Sequence, residues 1–152
     1  MPKYYKTAEL KSELSDIRIL YYEILMLNKI PITSTDDFVE NNMRIESFLL
    51  HARNITEFLK GGGHLKCSGF QNCNGKKISP VKVISKDVIE KINEYLSHIS
   101  TRRKTRKITW DLHSLRKKVN QEFNHFLNKI SPKYFPSKER LNISDFDNLI
   151  KN

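Results

Sequence analysis

Between Arg44 and Leu59 the apolar positions Ile45, Phe48, Ala52, Ile55 and Leu59 recur at steps of three and four. On a helix of 3.6 residues per turn this spacing draws one continuous buried stripe. It predicts a central helix over residues 36–60, opened by Ser34 and Asp37 at capping-box spacing and closed by Gly61-Gly62-Gly63. Ahead of it, Leu10, Leu14, Ile17, Tyr21, Ile24 and Leu27 mark a first helix that starts at Thr7 or Ser12, runs to Lys29 and stops before Pro31. Ile19, Leu20, Tyr22, Leu25 and Met26 widen its apolar face, which implies two packing neighbours or a second copy of the chain. From residue 61 to about 80 the composition turns to Gly, Cys, Asn, Lys and Ser without a period, the signature of an exposed loop. A third helix begins at a Ser85 cap and carries Val88, Ile92, Leu96 and Ile99. Thr109 opens a fourth, in which Leu112, Leu115, Val119, Phe123, Phe126 and Ile130 keep strict three-four spacing until Ser131-Pro132.

The expected fold is therefore all-α, a four-helix bundle with a long Gly/Cys-containing loop between helices two and three. Residues 1–136 form the single bundle domain, and residues 137–152 form a tail with a short helix after Ser144. Helices two and three are the expected central pair. At 1.5 Å per residue His51 lies roughly 13 Å from the end of helix two, and His98 roughly 18 Å from the start of helix three. Antiparallel packing would bring the two imidazoles to similar heights.

Charge changes the picture more than composition does. With 38% hydrophobic and 29% charged residues the chain has an ordinary globular balance. Its net charge of +10 is uneven: residues 1–76 hold 10 Lys/Arg against 9 Asp/Glu, and residues 77–152 hold 17 against 8. Arg102, Arg103, Lys104, Arg106, Lys107, Arg116, Lys117 and Lys118 concentrate this charge around the last helix junction, with Asp111 as the one acid among them. Such a field attracts phosphate, and Trp110 beside it can stack on a base. The expected partner is nucleic acid or an acidic protein. The absence of a signal-like segment and of a long apolar run predicts a cytoplasmic protein with no membrane contact.

Candidate chemistry gathers at His51, Arg53, Asn54, His98 and Arg102. Imidazole exchanges protons near neutral pH, and a guanidinium stabilises charge developing on a phosphoryl group. The same row serves equally as a hydrogen-bond network between helices. His64, Cys67 and Cys73 supply zinc-type ligands, but they are three and lack paired Cys-x2-Cys spacing, so no metal is expected. No phosphate-binding Gly-Lys motif, dinucleotide fingerprint or other cofactor signal occurs.

FLLHARNITEFL and INEYLSHISTRR, with the following Trp110, resemble a pattern in small uncharacterised bacterial helical proteins. In that pattern a His-Ala-Arg-Asn helix precedes one with Asn-x-x-Leu-x-His. The positions that match are His51, Ala52, Arg53, Asn54, Phe58, Asn93, Leu96, His98, Arg102 and Trp110. More distantly, the chain is similar to the HEPN superfamily of helical bundles. That resemblance implies an RNA-directed, ribonuclease-like role in defence or toxin–antitoxin systems. Its motif is an Arg, a polar residue and, four to six positions on, a His. Arg44 to His51 and Arg106 to His113 each span six intervening residues, with Ile45 and Lys107 in the polar second place. The chain departs from the motif there, which leaves enzymatic activity unassigned. The leading expectation is a nucleic-acid-associated bundle, RNA before DNA; the other is a non-catalytic interaction module that dimerises through its broad first helix.

Overall fold

The stripe at residues 45–59 is the inner face of α2, Phe38–Lys60. Phe48, Leu49, Ala52 and Ile55 are completely buried on it. The structure, a computed structural model, describes residues 3–97 and 109–134, with side chains from residue 16 to 96 and from 109 to 134. Around α2 stand α1 (Lys3–Lys29), α3 (Lys86–Ser97) and α4 (Leu112–Lys129). All four described helices share one core, in an all-α arrangement. The expected short helix after Ser144 lies outside the described residues.

Several expected boundaries and pairings are corrected. α1 begins at Lys3, ahead of Thr7 and Ser12. Asp37, not Ser34, caps α2, its carboxylate accepting the Glu40 amide at 2.9 Å. α4 is capped by Asp111, not Thr109, through the Ser114 amide at 3.0 Å. Among the described residues α2 packs more extensively against α1 than against α3, so the expected central pair of helices two and three is not the largest contact.

α4 also clasps the end of α1. Asn28 and Asn120 exchange amide hydrogen bonds of 2.9 and 2.7 Å, and one turn earlier Arg116 donates to the carbonyls of Leu27 (2.9 Å) and Ile30. The last carbonyls of a helix have no partner within it and concentrate partial negative charge, so a guanidinium there satisfies both needs. Its Cζ lies over the Phe48 ring, 5.3 Å from the centroid.

The segment after α2 is not the exposed loop its composition suggests. Gly61, at φ 84°, ends α2 in the left-handed conformation, and a Cβ there would stand 3.1 Å from Pro80. The neck is closed by the Val81 amide on the Leu59 carbonyl at 2.7 Å. The loop thus leaves and returns at one point, and it is filled by its own side chains. Cys67, Phe70 and Ile78 are buried, and Phe70 meets Phe58, Phe126 and Tyr134 edge to face with centroids 5.8, 5.4 and 5.1 Å apart. Gln71 faces Lys77 in an isolated antiparallel bridge. Through its backbone Gln71 also binds the turn after α4, its N–H donating to the Tyr134 hydroxyl and its carbonyl accepting from Ser131.

Burial raises the pKa of the Cys67 thiol, which donates to the Leu59 carbonyl at 3.3 Å, while Cys73 is exposed. A raised pKa leaves less nucleophilic thiolate near neutrality. A thiol reagent should therefore titrate one cysteine promptly in the folded protein and the second only after guanidinium is added; two prompt equivalents would contradict the packing of this loop.

Candidate functional site

The His51 site forms between α1 and α2. Glu23 on α1, which sequence reasoning missed, places Oε2 2.7 Å from His51 Nδ1, and the Asn54 amide donates to the same oxygen at 3.2 Å. A carboxylate only accepts, so this contact puts the ring proton on Nδ1 and leaves Nε2 as the second nitrogen. The His51 side chain is 9% exposed and that of Glu23 17%. Tyr22 packs edge-on against the imidazole with centroids 6.0 Å apart. His51 thus meets α1. The expected pairing with His98 on α3 falls on a residue that, like Arg102, lies outside the described residues. Arg53 follows His51 by two positions, about 200° around the helix, so the two project to different sides. His51, Asn54 and Glu23 come together; Arg53 does not join them. The sequence signal for Glu23 was its position between the buried Leu20 and Ile24, an acid on the edge of an apolar stripe.

The arrangement ties α1 to α2 through two side-chain contacts on one carboxylate. Replacing His51 by Ala should cost about 1–3 kcal/mol by leaving the Glu23 carboxylate with Asn54 alone, measured as a lower urea midpoint. An unchanged midpoint would show that solvent already satisfies Glu23.

The basic cluster divides. Arg102, Arg103, Lys104, Arg106 and Lys107 lie outside the described residues. Arg116, expected to contact nucleic acid, is instead engaged at the end of α1, and burial lowers the pKa of its guanidinium. Its position next to Leu115 in the α4 stripe was the sequence signal for that inward turn. Lys117 and Lys118 are exposed. Lys118 lines a cleft of about 400 Å³ between the beginnings of α3 and α4, together with Lys91, Trp110 and the apolar walls Ile84, Val88 and Leu115. Lys91 was not anticipated, because it stands 27 positions before Lys118 in an ordinary helical charge pattern.

Trp110 is partly buried against the core, with Tyr95 edge-on at 5.7 Å. Its indole N–H is buried without a hydrogen-bond partner among the described residues. At the same cleft the Ser114 amide, the Ser114 hydroxyl, His113 and Lys118 lower the pKa of the Asp111 carboxyl. The cleft falls within the range of about 300–1,000 Å³ typical of small-ligand sites. Its lining offers two ammonium groups, one aromatic surface and an apolar floor. No protein-family model, curated protein or solved structure matches the chain.

His64, Cys67 and Cys73 do not assemble into a metal site: the Cys67 sulfur is buried against Leu59, whereas His64 and Cys73 are exposed. Among the described residues no group of three or more His, Cys, Asp or Glu side chains is placed to hold a metal. Nor, among them, is any helix long and apolar enough to cross a membrane.

Proposed function

We propose that this protein is a cytoplasmic nucleic-acid-associated helical bundle, RNA-directed before DNA-directed, in the defence or toxin–antitoxin setting that the HEPN resemblance implies. One observation carries the reading: Lys91, Trp110 and Lys118, distant in sequence, line a single cleft. Lys117 adds an exposed charge next to it, and the basic residues 102–107 precede Thr109 of the same cleft in sequence. Cations supply affinity for phosphate, and an aromatic ring adds a surface for a base.

The test is the anisotropy of fluorescein-labelled mixed-sequence RNA and DNA measured across salt concentrations. The logarithm of affinity should fall linearly with the logarithm of salt, with a slope of about 0.7–0.9 per phosphate neutralised. Replacing Lys91, Lys117 and Lys118 together by Gln should weaken binding to many sequences alike and flatten that slope, because phosphate contacts carry no base information. The absence of salt-sensitive binding at low ionic strength would refute the reading.

A second reading, a non-catalytic homodimerising module, draws support from the other side of the bundle. Ile19 and Tyr22 on α1 are 52% and 54% exposed, and Val39, Met43 and Leu50 on α2 are 63%, 64% and 43% exposed. On α2 these positions fall along one side of the helix. Sedimentation of a concentration-dependent dimer that has no affinity for RNA or DNA would favour this module.

A further inference from the structure

We propose that the cleft between α3 and α4 accepts one unpaired nucleotide, its base against Trp110 and its phosphate between Lys91 and Lys118, so that the protein selects single strands over duplex. This rests on the nucleic-acid reading and makes it specific.

The argument starts from what the cleft can receive. A duplex buries the faces of its bases in the helical stack and offers a protein only phosphates, sugars and base edges. A flat basic surface would suit it. Here the feature is concave, its floor is made by Ile84, Val88 and Leu115, and the aromatic group belongs to the lining. Apolar walls and an indole gain nothing from a phosphate; they gain from the flat face of a base that has left its stack.

Polar groups complete the match. The Ser85 hydroxyl accepts the Val88 amide at 3.4 Å, which leaves its own hydrogen to donate into the cleft it lines. Ser85 and Asp111 each occupy one amide at the beginnings of α3 and α4, those of Val88 and Ser114. The two lysines supply the cleft's positive charge for the phosphate. The Asp111 carboxylate at the same cleft disfavours a second phosphate close by, which fits one nucleotide better than a phosphate track.

Trp110 is the only tryptophan in the chain, so emission excited at wavelengths that tyrosine does not absorb reports on this cleft. Affinities of the full chain for a 12-nucleotide mixed-sequence RNA and for the same RNA annealed to its complement would be read from the anisotropy of a fluorescein label, and Trp110 emission from parallel titrations with the unlabelled RNAs. Single strand should change Trp110 emission and bind at least about tenfold more tightly than duplex, since a stacked base contributes that order of affinity. Replacing Trp110 by Ala should reduce single-strand affinity by about 5- to 150-fold and leave duplex affinity unchanged, and Trp110→Phe should recover most of the loss. Circular dichroism would verify that both variants fold; if the alanine variant does not, the emission change and strand preference of the unaltered chain decide the matter. Equal affinity for both forms, or single-strand binding without an emission change, would overturn the single-nucleotide cleft while nucleic-acid binding stands. Failure of both RNAs to bind at low salt would overturn both. Tight binding of an acidic protein with no response to RNA would do the same.

Discussion

Phe70→Ala should lower the stability of the folded chain by about 3–5 kcal/mol, the usual cost of removing a buried aromatic ring from a core that cannot collapse around the space. Phe70 is 2% exposed and touches Phe58 from α2, Phe126 from α4 and Tyr134 from the turn beyond α4. Those three cannot close the gap without pulling apart the Leu59–Val81 neck or the Gln71 contacts to Ser131 and Tyr134. Phe70→Leu should cost less, because it keeps apolar volume and loses only the edge-to-face contacts. Guanidinium unfolding of the three proteins provides the check. A loss under 1 kcal/mol for the alanine variant would mean that the loop is not part of the core.

The second large effect is expected at Arg116. Arg116→Gln should destabilise by about 2–4 kcal/mol, since hydrogen bonds from a charged donor are worth about 1.5–3 kcal/mol each and two carbonyls lose theirs together. The lower half of the range reflects the partial exposure of this residue, which lets water reach the carbonyls. Arg116→Lys should recover part of the stability, because one nitrogen, Nη2, donates to both Leu27 and Ile30 and an ammonium can approach that role, while the planar contact with the Phe48 ring is lost. The same denaturation series measures it. Loss of RNA affinity without loss of stability would return Arg116 to the binding surface.

The helices were legible where the periodicity was strict. Of the predicted stripe, Leu115, Val119, Phe123 and Phe126 in α4 and Ile130 at its end are buried and Leu112 is partly buried, because a rule local to seven residues determines which side of a helix turns inward. The loop after α2 was not legible. Its buried residues Cys67, Phe70 and Ile78 follow no period, and the groups that bury them come from α2, α4 and the turn at Tyr134. Gly and Asn density correctly marks turns, as at Gly75 with φ 74°, but says nothing about what the chain between turns packs against. At the candidate site the limits were similar. His51 and Asn54 were rightly grouped from their one-turn spacing, whereas their partner Glu23 lies 28 residues before His51. Lys118 and Trp110 were visible as charge and aromaticity, but their meeting with Lys91 depends on the packing of α3 beside the start of α4.

The clasp between α1 and α4 also has a temporal side. Asn28 waits for Asn120, 92 residues later, and the last carbonyls of α1 wait for Arg116. At translation speeds of about 5–20 residues per second, α1 leaves the ribosome on the order of ten seconds before its end can be completed. During that interval α1 has α2 to pack against but not α4, so the apolar surface that α4 covers stays open until the chain is nearly complete.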